Sequence, residues 1–222
     1  FCLIPIAAIA LVWQWISLPT MIAARRTGSG NVFRLLKSRY VALGIAACGA
    51  FFMGQFALFT YVRPFLETIT RVEVSTLSLS LLVIGVAGLG GTLVIATVLK
   101  RGLYRTLIVT PLLMAVIAVA LISLGEWLWP VTALLALWGL LATAARVGWW
   151  SWITQALPAD AEAGGGLMVA VIQLAIALGS TVGGVLFDHS GYRGTFVASA
   201  LLLLFGAFLS LVTSRSSASQ VA

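Results

Sequence analysis

Thr106–Leu124 reads TLIVTPLLMAVIAVALISL, nineteen residues without a charge. A helix rises about 1.5 Å per residue, so roughly 20 such residues cross a hydrocarbon core of about 30 Å. Inside lipid every backbone N–H and C=O needs an internal partner, which leaves helices or closed barrels. Barrel strands alternate apolar and polar residues over about ten positions. Neither this run nor Leu201–Val212 (LLLLFGAFLSLV) alternates, so both are read as membrane-crossing helices.

Outward from that run the pattern repeats. Seven spans are expected: Cys2–Ile22, Tyr40–Tyr61, Thr76–Leu99, Leu103–Leu124, Leu128–Ile153, Gly164–Phe187 and Gly194–Thr213. The fold class is therefore all-α, a polytopic membrane helix bundle. Composition agrees. Hydrophobic residues make up 61% and charged residues 9% of the chain, against about 25% charged in soluble domains, and mean hydropathy is +1.12.

The net charge of +7 does not point to nucleic acid, because the basic residues sit at the ends of apolar runs. Nine of them (Arg25, Arg26, Arg34, Lys37, Arg39, Lys100, Arg101, Arg105, Arg215) fall on one side, and Arg63, Arg71 and Arg193 on the other. The positive-inside rule puts the nine in the cytoplasm. The chain begins at Phe1, with no Met or basic segment ahead of its first apolar run. No signal peptide is expected there, and the layout reads as a fragment. The basic connection after the first span is the one organisational boundary, followed by two sets of three helices.

Small residues mark where helices meet, since lipid provides no hydrophobic drive between them. Ala46, Ala50 and Gly54, then Gly85, Gly88 and Gly91, then Gly179 and Gly183 recur at helical spacing. They are either packing seams or sliding interfaces.

Polar side chains at bilayer depth are costly and so informative. Arg146 costs about 2.5–3.5 kcal/mol near a helix centre on insertion scales. At about 100° per residue, Trp149 and Trp150 flank it at roughly 60° and 40°. Ligand binding, snorkelling and a structural cation–π cluster all remain open for Arg146. Trp149 and Trp152 are either stacking surfaces or an aromatic belt, and Trp127 and Trp129 are belt residues. Gln55, Phe59 and Arg63 form a stripe on the second span, ahead of Pro64, with Glu67 one turn on; Tyr61 points elsewhere. That stripe serves a substrate or gate, or else Arg63 and Glu67 are a structural i, i+4 pair. Gln173 is a ligand contact or an interhelical hydrogen bond. The chain shows no catalytic set, metal-ligand cluster or cofactor motif. Its one histidine, His189, lies in a polar loop beside Asp188, and Cys2 and Cys48 sit in apolar runs as small hydrophobes.

Four stretches carry a family resemblance: Asn31–Leu36 (NVFRLL), Gly54–Pro64 (GQFALFTYVRP), Val147–Thr154 (VGWWSWIT) and Val169–Leu174 (VAVIQL). The chain resembles the second half of a major facilitator superfamily transporter of the drug:proton antiporter branch, and within it the bacterial purine ribonucleoside efflux pumps. The resemblance implies residues 1–22 as the last helix of an N-terminal half and 23–39 as the cytoplasmic loop between halves. It implies 40–213 as a six-helix C-terminal half and 214–222 as a cytoplasmic tail. It further implies a bacterial inner-membrane protein that exports a small-molecule substrate against protons through a central cavity, with the N-terminal half and its coupling carboxylate elsewhere. Substrate contacts are then expected from Gln55, Phe59, Tyr61, Arg63, Arg146, Trp149, Trp152 and Gln173. Gating or ion-pair roles fall to Glu67, Lys100, Arg101, Arg105 and Asp188. Two features depart from the pattern. The loop Lys100–Arg105 lacks the family motif's acidic member, so a charge anchor explains it equally well, and Arg146 is not expected at its place. Exporters of sugars or amphipathic drugs share the fold and stand as the alternative. The export reading requires Gln55, Arg63 and Arg146 to be kept from acyl chains around one wet chamber.

Overall fold

The computed structural model describes residues 3–17, 32–99 and 102–221. These fall in two units, residues 1–31 and 32–222. The first holds α1 (Leu3–Ser17), fifteen residues with Ile9, Trp13 and Ile16 exposed. The remainder of the expected first span lies outside the described residues. The connection after it is described from residue 32, where a 3₁₀ helix covers Val32–Lys37.

The second unit contains α2 (Arg39–Phe59), α3 (Val62–Thr68), α4 (Val74–Leu99), α5 (Leu103–Leu124), α6 (Leu128–Ala156) and α7 (Ala161–Val221). No strand occurs among the described residues. Arg39–Thr68, Val74–Ile95, Leu103–Leu124, Leu128–Ala156 and Ala161–Ser216 are long and apolar enough to cross a membrane. The chain is a multi-pass membrane helix bundle.

The last of these segments is two crossings. Gly191 holds φ 66° and ψ −171° inside α7, a conformation that costs glycine little and other residues much. The arms fold back on each other there: the Thr195 hydroxyl donates to the Gly183 carbonyl at 3.0 Å. A Cβ on Gly54 would meet Leu202 and Leu203, and one on Gly179 would meet Met53. Positions about twelve residues on either side of Gly191 thus flank one level of α2, as two antiparallel arms require.

α2 is the central element. It packs most extensively against α7, while α4 lies on α6 and α5 on both α6 and α7. The most apolar window of the Arg39–Thr68 segment is 67% buried and that of α4 28%, which places α4 at the periphery. The core runs through Phe51, Phe52, Leu58, Phe65, Trp138, Trp149 and Phe196. Ser199 adds a polar tie, its hydroxyl donating to the Gly54 carbonyl at 2.6 Å.

The small-residue positions separate by role. Gly179 and Gly183 lie against the backbone carbonyls of Met53 and Ala57, and Gly91 against that of Leu140. Gly88 faces the Thr143 hydroxyl, whereas Gly85 faces open space. The Ala46–Ala50–Gly54 row is not one seam: Gly54 is buried and Ala46 exposed.

Gly179→Val forces α2 and α7 apart and is expected to cost about 1–3 kcal/mol or more. Gly85→Ala is expected to be neutral or stabilising by up to about 1 kcal/mol, because alanine is the better helix former. Thermal unfolding in detergent compares the two, and equal midpoints would refute the assignment of the seam.

Candidate functional site

Pro64 sets the geometry at the end of α2. Its ring nitrogen has no hydrogen to give the Thr60 carbonyl, and its ring crowds that oxygen. The helix accordingly breaks at Thr60–Tyr61, where Tyr61 adopts φ −104° and ψ 10° and its N–H reaches the Leu58 carbonyl at 2.9 Å. Helical periodicity does not run through the break, which takes Arg63 off the expected stripe; Gln55 and Phe59 lie ahead of it on unbroken α2 and are separated by burial instead. Gln55 is buried, at 4% exposure, whereas Phe59 and Arg63 are exposed.

The break is tied to α7. The Thr60 hydroxyl donates to the Phe56 carbonyl at 2.8 Å, so the Ser180 hydroxyl supplies the proton of their shared 2.9 Å bond. The Tyr61 hydroxyl donates to the Ser180 carbonyl at 2.9 Å, and its ring stacks on Phe187 at 5.3 Å. Beyond it, Arg63 Nε donates to Glu67 Oε1 at 2.8 Å, and both side chains are exposed. Of the two readings of this pair, the i, i+4 ion pair is the one formed. Phe65 anchors α3 between Tyr192 and Phe196.

On α6 the aromatic run divides. Trp149 and Trp152 are buried, edge-to-face at 5.9 Å. Trp149 lies against Phe51 and Trp152 against Tyr40. A Cβ at Gly44 would collide with the Trp152 ring, so glycine there admits the indole. The crevice lined by Tyr104, Leu107, Trp149, Trp152, Ser210 and Thr213 is too narrow for a water molecule. Arg146 is exposed on the same helix. Trp150, four residues on and about 40° around the helix, is exposed with it. Among the described residues the cation–π contact is Arg193 over Tyr192 at 5.9 Å, and Arg146 makes none.

Gln173 is exposed on the first arm of α7. Asp188 and Arg105 are exposed and form no ion pair among the described residues. Lys100 and Arg101 lie outside the described residues. Since Arg63 and Arg146 are exposed while Gln55 is buried, the described residues do not enclose all three in one chamber. Closing one around both arginines takes a surface beyond these residues.

Among the described residues, three buried polar atoms lack a hydrogen-bond partner: Gln55 Oε1, Trp138 Nε1 and Trp152 Nε1. An unmet buried group costs about 1–3 kcal/mol. Here one acceptor and two donors are left unused in the core. The sequence reading missed Trp150, Thr60 and Ser180. Helical spacing already placed Trp150 nearer to Arg146 than Trp149 is, but nothing in the sequence links Thr60 to a residue 120 positions away.

No protein-family model matches the chain. It is 59% identical over 221 residues to the transcription regulatory protein OpdE of Pseudomonas aeruginosa, covering 98% of this chain and 55% of that protein. It is 36% identical over 201 residues to the purine ribonucleoside efflux pump NepI of Escherichia coli, covering 90% of this chain and 51% of that protein. The pump of the same name in Salmonella typhimurium is 37% identical over the same coverage. The chain spans about half the length of the curated relatives it matches.

Replacing Gln55 with Leu removes a desolvated acceptor without opening a large void, and is expected to leave stability unchanged or raise it by up to about 1–3 kcal/mol. Tyr61→Phe, which loses a satisfied hydrogen bond, is expected to lower stability by about 0.5–1.5 kcal/mol. Opposite signs in detergent unfolding would confirm that the amide is held for something other than stability; equal losses would show that it is structural.

Proposed function

We propose that the chain forms the C-terminal half of a proton-coupled major facilitator exporter in the bacterial inner membrane. Its cargo on this reading is purine ribonucleosides or chemically similar small molecules. The similarity to proteins named as purine ribonucleoside efflux pumps supports the class. The observation that carries the reading is the exposure of Arg146, Trp150 and Gln173 within membrane-crossing helices. Facing lipid, Arg146 alone would cost about 2.5–3.5 kcal/mol on insertion scales. Facing a wet cavity completed by an N-terminal half, the three become ligand contacts.

On this reading residues 1–22 are the last helix of the N-terminal half, 23–39 link the halves, 40–213 form the C-terminal half, and 214–222 are a cytoplasmic tail. The exposed indole of Trp150 and the ring of Phe59 offer faces for a base to stack on, a contact worth about 1–3 kcal/mol in nucleic-acid systems. Gln173 and Arg146 bond base edges or ribose. Gln55, Trp149 and Trp152 join when the helices part, bringing the unpartnered amide oxygen and indole N–H with them. Tyr61 holds the broken end of α2 on α7, and the Arg63–Glu67 pair caps the outer end. Arg105, with Lys100 and Arg101, and Asp188 act at the gates.

A second reading draws on the relative named as a transcription regulatory protein. The two join if export lowers the cell's concentration of an inducer, which changes transcription with no DNA contact.

Inverted membrane vesicles carrying the full-length protein are expected to accumulate labelled inosine under an imposed pH gradient and to stop when an ionophore collapses it. Arg146→Gln is expected to reduce that uptake about tenfold or more, the equivalent of a lost charged hydrogen bond of about 1.5–3 kcal/mol. Uptake of a sugar or an amphipathic drug in place of inosine moves the assignment to the alternative exporters. A transport-dead variant that still alters transcript levels favours the purely regulatory reading.

A further inference from the structure

Five cations crowd the end of the bundle where α2 begins. Arg34 and Lys37 stand three apart in the 3₁₀ helix, and side chains at that spacing eclipse and share a face. Both are exposed, while Leu35 and Leu36 between them pack on the core. Arg39, the first residue of α2, is exposed as well. The Tyr40 and Tyr104 hydroxyls bond at 2.7 Å, which brings the start of α5, with exposed Arg105, beside the start of α2. Thr213 lines the same crevice as Tyr104, and exposed Arg215 comes two residues later.

Among the described residues none of these five cations forms an ion pair. The described carboxylates at that end, Asp160 and Glu162, lie at the α6–α7 junction and are exposed. The leucines seat the 3₁₀ helix on the bundle, so its charges are held outward without ordering a free loop. The level is the one where tyrosines gather at a membrane–water boundary. Lipid phosphates lie at that depth, and guanidinium groups bind phosphate through paired hydrogen bonds.

We propose that Arg34, Lys37 and Arg39, flanked by Arg105 and Arg215, form a docking surface for the headgroups of anionic phospholipids. The partner is a phosphodiester anion already anchored in the bilayer. The leucine-seated geometry and the tyrosine pair favour it over a nucleic acid, which would approach from solvent and meet no apolar rim.

The test is native mass spectrometry of the whole protein released from micelles containing equal amounts of phosphatidylglycerol and phosphatidylcholine. The wild type is expected to retain phosphatidylglycerol over phosphatidylcholine, and about 0.5 M salt to erase the preference, since screening shortens to a few ångströms at such ionic strength. The Arg34→Gln, Lys37→Gln, Arg39→Gln triple variant is expected to lose roughly tenfold or more of that preference, as three surface cations would contribute together. Arg71→Gln at the opposite end is expected to keep it. A wild type with no preference, a triple variant with the wild-type preference, or tighter retention of a short duplex DNA than of phosphatidylglycerol would each overturn the proposal. The wild-type salt series decides the matter even if the triple variant fails to fold.

Discussion

Two backbone contacts hold the rest of the structure in place: the Met53 and Ala57 carbonyls lie directly on Gly179 and Gly183. Lipid offers no hydrophobic drive between helices, so association has to come from close dispersion contact and interhelical hydrogen bonds. Glycine at 179 and 183 permits the approach, and the approach fixes the contacts around it. It brings Ser180 within reach of both Thr60 and Tyr61. The return of the chain at Gly191 lays the second arm along the other flank of α2, where Ser199 meets Gly54. Every hydroxyl tie between α2 and α7 is a consequence of that spacing.

Beside the interhelical hydroxyl ties, three kinds of polar group stand out in this bundle. The hydroxyls of Thr92, Thr143, Thr181 and Ser210 return to carbonyls four residues back and are thereby cheap to bury. Gln55, Trp138 and Trp152 are buried with polar atoms unmet. Arg146 and Gln173 keep their polar groups exposed within membrane-crossing helices. The last two kinds carry a free-energy cost that packing alone does not explain. The export function proposed above would account for both, since a ligand would supply the missing partners and a wet cavity the solvent.

The helices were legible in the sequence because an apolar run of about 20 residues with no alternation has one solution in lipid. The boundaries of α5, Leu103–Leu124, coincide with the expected span. The turn between the last two spans was legible too, since Gly191 lies in the polar gap between them. What the sequence concealed was facing. Helical spacing put Arg63 on the stripe of Gln55 and Phe59 only while the helix was assumed unbroken, and Pro64 interrupts it at Thr60; Gln55 and Phe59, both ahead of the break, differ in burial, which spacing alone does not carry. Spacing located Trp149 and Trp150 on either side of Arg146, yet which of them is buried depends on other helices, as Phe51 against Trp149 shows. Long-range partners such as Ser180 for Thr60 leave no local signature.

The glycine seams were open to two interpretations, packing or sliding, and the contacts favour packing. Sliding α7 by about 1.5 Å along α2 carries Gly179 and Gly183 off the carbonyls they sit against, and bringing the next residue to the same place takes a turn of about 100° as well. Such a screw step puts Leu178 or Ser180 where Gly179 was, and a Cβ there meets the Met53 carbonyl. A screw step that puts Gly184 at the Ala57 carbonyl also puts Val185 at the place now facing the Tyr61 hydroxyl, which its Cβ would meet. With Thr195 joining the two arms of α7 and Phe65 wedged between Tyr192 and Phe196, α2, α3 and α7 have few soft directions. For the transport cycle proposed above, these ties favour moving α2, α3 and α7 as one body over shearing them internally.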